Sequence, residues 1–150
     1  MPPPNEAVGL AIFLGGATGG IALGAASDLL FRGDRRRPLL VFTAAQAAAL
    51  LAFAPLPPPL TLSPPAAIGC TFAACFFALG NYSLLCYGVP TDLGESLAGV
   101  AGGCMTCAQY LVSGAGGVTL GALVSRLGFG SWWISLEVAT ALQFLAILLI

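Results

Sequence analysis

The chain has 150 residues, 58% hydrophobic and 7% charged, with a formal net charge of −1 and no histidine, whereas soluble domains run near 45–50% apolar and about 25% charged. Glu6, Asp28, Arg32, Asp34, Arg35, Arg36, Arg37, Asp92, Glu95, Arg126 and Glu137 are too few charges to coat a compact chain of this size, so a soluble globular protein is excluded and most of the surface is expected to face lipid. The charge balance leaves no basic footprint for nucleic acid, and although Gly and Pro number 20 and 11, the residues between them are too hydrophobic for a disordered chain.

In chain order, five apolar runs approach the roughly 20 residues that a helix needs to cross about 30 Å of hydrocarbon. They are Ala7–Ser27, Pro38–Leu56, Ala66–Val89, Leu97–Ser125 and Ser131–Ile150. None alternates apolar with polar as barrel strands do, so the expected fold is all-α and polytopic, with five transmembrane helices. The breaks are explicit: a charged stretch from Asp28 to Arg37, prolines from Pro57 to Pro65, an acidic turn holding Asp92 and Glu95, and a glycine turn after Arg126. The fourth run is long for an untilted crossing, which predicts tilt or a kink near Gly114–Gly117.

Arginine placement sets the expected orientation. Four of the five arginines lie between the first two runs, and short basic loops stay in the cytoplasm, so the amino terminus is expected outside and the carboxyl terminus inside. The last run ends on Leu145–Ile150 without interfacial anchors and reads as cut short.

Cys70, Cys75, Cys86, Cys104 and Cys107 all fall inside apolar runs. Cys104-x-x-Cys107 has no histidine to complete a zinc set and no βαβ pattern around it, so neither a metal nor a cofactor is expected. With no histidine base and no paired nucleophile, an enzyme is the weakest reading.

Gly16, Gly20 and Gly24 recur every four residues in the first run, with Gly15 and Gly19 beside them, and predict a close helix approach. They lead into Gly24-Ala-Ala-Ser-Asp28, then Arg32, Gly33 and Asp34-Arg35-Arg36-Arg37. This stretch resembles the loop signature of the major facilitator superfamily, Gly-x-x-x-Asp-(Arg/Lys)-x-Gly-(Arg/Lys)-(Arg/Lys), with Leu29 where a basic residue usually follows the aspartate. The resemblance implies a cytoplasmic gate built from Gly24, Asp28, Arg32, Gly33, Arg35 and Arg36, with Gly24 admitting a neighbouring helix and Asp28 accepting hydrogen bonds from arginine. The plainer reading is a topogenic arginine cluster.

A longer stretch, Gly80-Asn81-Tyr82-Ser83 through Tyr87-Gly88 to Asp92-Leu93-Gly94, resembles the tenth helix and following loop of the organophosphate:phosphate antiporters, with Asn81 where that branch has proline. Gly99, Gly102, Gly103 and the Gly114–Gly117 segment resemble its eleventh helix, and the turn at Gly128 into Trp132 resembles the entry to its twelfth. The resemblance implies helices eight to twelve of a twelve-helix carrier, part of the carboxyl-terminal half of the bundle, and hence a fragment lacking amino-terminal helices. Such a carrier exchanges glycerol 3-phosphate or a sugar phosphate for inorganic phosphate by alternating access. The branch grips phosphate with arginines of its first and seventh helices, so this chain alone is not expected to move phosphate esters.

Asn81 and Tyr82 form a polar pair in mid-run and are candidates for substrate contact or for interhelical hydrogen bonding. Glu137 is an intramembrane acid of the kind that marks a pathway or a paired partner. Trp132 and Trp133 read as an interfacial belt, and Gln46, Gln109 and Gln143 as helix contacts. The rivals are a carrier of a different small solute and a non-transporting membrane subunit docked on a partner. The orientation is testable directly: a tag fused to the carboxyl terminus is expected to stay inaccessible to antibody outside intact cells and to become accessible on permeabilisation, and the reverse pattern inverts the topology.

Overall fold

The computed structural model describes residues 5–52, 63–128 and 130–149. The described residues are helical almost throughout. Helix α1 is Asn5–Ala25, α2 Arg36–Leu51, α3 Pro64–Ser83, the single turn α4 Val89–Thr91, α5 Glu95–Leu127 and α6 Gly130–Leu149. Five-residue π-helical turns, Ala26–Leu30 and Leu84–Gly88, continue α1 and join α3 to α4.

Among the described residues, four helical stretches are long and apolar enough to cross a membrane: Asn5–Leu30, Pro64–Thr91, Glu95–Leu127 and Gly130–Leu149. Helix α2 has 16 described residues, about 24 Å at 1.5 Å per residue, and falls short by itself. The outer part of the second expected run (53–56), the proline stretch 57–59 and Ile150 lie outside the described residues. Helix α5 runs unbroken through Gly114–Gly117 for 33 residues, so no break in the helix relieves its length of about 50 Å. The change of helical character in the third run falls at Leu84–Gly88, three residues after Asn81.

Two sharp turns depend on glycine. Gly94 before α5 (φ 87°, ψ 159°) and Gly128 before α6 (φ 82°, ψ 176°) occupy a region closed to residues with a Cβ. They let α5 and α6 reverse within a residue or two.

Helix α1 lies along α3, α2 packs between α3 and α6, and α5 meets α6 and the end of α3. The α1–α3 contact is parallel and close. Its buried stripe is Ala11, Gly15, Gly19 and Leu23. An added Cβ on Gly15 would come 2.7 Å from the Phe72 carbonyl oxygen, and one on Gly19 would land on that of Phe76. Gly16 and Gly20 belong to the same close face, where an added Cβ would come 2.5 Å from the Leu79 side chain and 2.9 Å from the Ser83 hydroxyl. The expectation is corrected at Gly24 alone, where a Cβ would meet nothing within 4 Å. The backbones come closest at Gly15 and Gly19, and the close face ends before Gly24.

The described core is small and lies near one end of the bundle, where Leu23, Leu39, Leu84 and Ile147 from four helical segments meet. Phe42, Phe72, Phe76 and Phe77 extend it between α2 and α3 as stacked and edge-on rings. Most large apolar side chains point outward instead, including Phe13, Ile21, Tyr110, Leu111 and Val118, and α5 buries no residue.

The glycine register predicts unequal substitutions. Gly19→Ala is expected to cost about 1–3 kcal/mol through overpacking against backbone that cannot yield. Gly24→Ala is expected to be neutral or to stabilise by up to about 1 kcal/mol through helix propensity. Thermal unfolding of the detergent-solubilised variants checks the order.

Candidate functional site

The charged loop after α1 folds around Arg35. Arg32 (φ 54°) and Gly33 (φ 83°) turn the chain back, with the Gly33 N–H donating to the Ser27 carbonyl at 2.9 Å. Asp34 accepts the backbone N–H of Arg36 at 3.0 Å, satisfying one of the free donors at the start of α2. Its other oxygen pairs with Arg37 at 3.1 Å.

Arg35 is thereby placed between two aspartates. Its Nη1 donates to Asp28 and to the buried Ser27 hydroxyl, the latter at 2.9 Å. Its Nε and Nη2 donate to the two oxygens of Asp92 at 2.8 and 3.1 Å, a bidentate pair. One guanidinium thus ties the loop after α1 to the turn after α4, and both aspartates follow or lie within a π-helical turn. Arg36 reaches the free Leu148 carbonyl at the end of α6, so a fourth helix end joins the same cluster.

Asp28 and Arg35 of this Asp28–Arg35–Asp92 lock also line an open cavity of about 330 Å3, whose other walls include Gly20, Gly24, Ser83, Tyr87 and Thr91. Without a side chain at Gly24, this space stays open. Of the loop residues singled out from the sequence, Asp28 and Arg35 are brought together, Gly24 opens the cavity beside them, Arg36 caps α6, and Arg32 and Gly33 shape the turn. Asp92 is the member that sequence reasoning missed. It lies 57 positions from Arg35, and its only sequence signal was membership of the Asp92-Leu93-Gly94 turn.

One helical turn deeper, the Leu23–Leu39–Leu84–Ile147 cluster seals the space between the helices. Beyond it lies a layer of buried amides and hydroxyls. Asn81, 1% exposed, donates from Nδ2 to Thr43 Oγ1 at 3.1 Å and to Gln46 Oε1 at 3.3 Å. Gln46 donates to Thr140 Oγ1 at 2.9 Å, Gln143 donates to Thr43 at 3.2 Å, and Thr140 donates back to the Leu136 carbonyl at 2.9 Å. The Asn81 Oδ1 is buried without a partner among the described residues.

Asn81 and Tyr82 therefore face different helices. Tyr82 donates to Gln109 Oε1 on α5 at 2.8 Å and meets Tyr87 edge-on. Gln46, Gln109 and Gln143 all make contacts between helices. Thr43 and Thr140 went unnoticed in the sequence because a threonine can satisfy its hydroxyl on its own helix and so gives no sign of an interhelical partner. At the far end of the bundle, the Trp133 indole donates to the Leu50 carbonyl at 2.7 Å and joins α6 to the end of α2. Between these ends, Ile12, Gln46, Leu50, Leu79 and Trp132 help line a cavity of about 420 Å3 with almost wholly apolar walls.

No protein-family model, no curated protein and no solved structure matches the chain.

The lock carries a pH dependence of definite sign. The hydrogen bonds from Arg35 hold the Asp92 carboxyl below its usual range, and the bond to Asp92 is the main cause that raises the Arg35 guanidinium. Because the folded-state value of Asp92 is depressed, its stabilising contribution is complete above the ordinary carboxylate range and is lost as pH falls through the depressed value. With the Arg35 and Asp92 side chains 22% and 46% exposed, solvent screening limits that contribution to about 1 kcal/mol or less. Asp92→Asn is expected to lower the unfolding midpoint at neutral pH, with the two proteins converging in acid; a gap that persists unchanged in acid would remove the ion pair as its cause.

Proposed function

We propose that the chain is a multi-pass membrane protein that forms part of a secondary carrier, with the Asp28–Arg35–Asp92 lock closing its cytoplasmic end. The observation that carries this reading is the single guanidinium that bridges two loops at the wall of a cavity. Such a closure is largely exposed, so it is weak enough to open and reform as helices rock about a central site. The apolar seal beneath it adds a second barrier, and the cavity at the other end gives solute an entry.

The cargo implied by the major facilitator resemblance is glycerol 3-phosphate or a sugar phosphate exchanged for inorganic phosphate. Asn81 and Tyr82, the polar pair at mid-depth of the third run, are the candidates for contact with such a solute. A second reading, a carrier of a different small solute, is favoured by a specific observation: the cavity at the Trp133 end has almost wholly apolar walls and no charged side chain on its lining. In either case the lipid bilayer and helices contributed by the rest of a carrier or by a partner subunit complete the assembly.

The gate is tested with a cysteine at Gly24, which lines the lock cavity in a position where a side chain fits. A membrane-impermeant thiol reagent applied from the cytoplasmic side, with modification located by peptide mapping, is expected to label Gly24→Cys several times faster once Arg35→Gln is added. An unchanged rate, or labelling from the opposite face alone, overturns the gate. Counterflow in native membrane vesicles then assigns the cargo: glycerol 3-phosphate accumulating against trapped phosphate supports the antiporter branch. Flux of another solute that phosphate leaves unaffected supports the second reading, and the absence of any solute flux that Arg35→Gln alters favours a non-transporting subunit.

A further inference from the structure

Helix α6 carries one carboxylate, Glu137, about two turns from its start. The Glu137 Oε1 is buried and has no hydrogen-bond partner among the described residues. The side chain lines a cavity of about 480 Å3 between α2 and α6, whose other walls include Thr43, Ala44, Ala47, Thr140 and Phe144. This space is separate from the lock cavity and from the apolar cavity at the Trp133 end.

Among the described residues, the cavity wall holds no counter-charge. From α2 the cavity receives Thr43, Ala44 and Ala47, none titratable. The nearer charges of that helix are committed at its first turn, Arg36 to the Leu148 carbonyl and Arg37 to Asp34. No described residue of α5 lines this cavity. The α5 side chains that face α6, Leu123 and Leu127, lie on a separate space and are apolar, and Arg126 is exposed and outside the cavity wall. The Thr43 and Thr140 hydroxyls are engaged with Asn81, Gln46, Gln143 and the Leu136 carbonyl. An ionised carboxylate in this position is strongly disfavoured unless a cation joins it.

We propose that Glu137 and this cavity form a binding site for a lipophilic organic cation, of the quaternary ammonium or phosphonium class, which replaces a proton. In the proposed exchange the empty site holds the neutral carboxylic acid, the form that needs no counter-ion among apolar walls. On binding, the O–H bond breaks, the proton leaves to water, and the carboxylate pairs with the cation without forming a covalent bond. The net charge of the site is zero before and after. The walls select the class of cation: Ala44, Ala47 and Phe144 cover organic substituents, and an aromatic face attracts positive charge. A hard cation such as Ca2+ or Mg2+ takes six or more oxygen ligands, which one carboxylate and two engaged hydroxyls do not supply, and among the described residues no group of three His, Cys, Asp or Glu side chains offers a metal site. The volume falls in the range of small-molecule sites. This inference goes beyond the carrier reading and does not depend on the Arg35 lock.

The test uses the full chain in detergent micelles with tetraphenylphosphonium as the probe, followed by calorimetry in two buffers of different ionisation enthalpy. Release of about one proton per bound cation is expected, with affinity rising about tenfold per pH unit while the empty carboxyl stays protonated. Glu137→Gln is expected to weaken binding at least about 30-fold, the scale of removing one partner of a desolvated charge pair, and to abolish proton release; Glu137→Asp is expected to retain both. A second measurement needs no variant. Dicyclohexylcarbodiimide, which reacts with protonated carboxyls in apolar surroundings, is expected to add an acylurea to the Glu137 peptide, and tetraphenylphosphonium to prevent it. Absence of binding, equal binding by Glu137→Gln, binding without proton release, absence of the adduct, or labelling that the cation leaves unchanged each overturns the site.

Discussion

An amide or hydroxyl carried into the apolar interior of a helical bundle loses its water, and the only replacements within reach are on its own backbone or on a neighbouring helix. That constraint organises this molecule around α2. Thr43 and Gln46 lie on one face of α2, and their partners come from α3 through Asn81 and from α6 through Thr140 and Gln143. Going down α2 from Arg36 to Leu50, the partners on α6 run the opposite way, from Leu148 to Trp133. The polar layer therefore sets the register of an antiparallel pair as well as joining three helices. Each such bond adds on the order of 1 kcal/mol, while a slipped register strands buried donors and acceptors at about 1–3 kcal/mol each. The layer thus contributes more to uniqueness than to gross stability.

Contacts of very different stiffness follow from this frame. Along α1 and α3 the backbones touch through Gly15 and Gly19, where no flexible side chain absorbs a displacement. At the loop end, closure rests on hydrogen-bonded charges at the surface, which water and salt weaken. A rigid parallel pair beside a weak ionic latch concentrates any movement at the latch. Both segments bearing the latch aspartates include a π-helical turn, a rare feature that is frequent at functional sites. Under the carrier reading this is the mechanical content of a gate, and the Leu23–Leu39–Leu84–Ile147 seal beneath it is the part that has to part when the latch opens.

Legibility divides along the same line. Five apolar runs stood out in the sequence because composition and run length suffice to identify them, and four of them are long apolar helices among the described residues. The charged, acidic and glycine turns between them were explicit in residue type. Gln46, Gln109 and Gln143 could be read as helix contacts because a lone amide in an apolar run has few alternatives. The close glycine face of α1 was legible at Gly15, Gly16, Gly19 and Gly20 from its spacing, but not that it stops short of Gly24. Asp92 as a partner of Arg35, Thr43 as the acceptor shared by Asn81 and Gln143, and the divergence of Asn81 from Tyr82 onto different neighbours had no local signature at all.

What residue order alone was enough to establish is the all-helical character, the apolar runs, the turns, and the inventory of scarce polar groups, all of which are properties of a segment and its immediate neighbours. Where the close face of α1 ends, which aspartates share Arg35, and which helices the mid-bundle amides join were decided only when the helices packed. Helix azimuth and pairing depend on residues dozens to a hundred positions apart meeting at hydrogen-bonding distance, and no periodicity within a single helix encodes the identity of the partner.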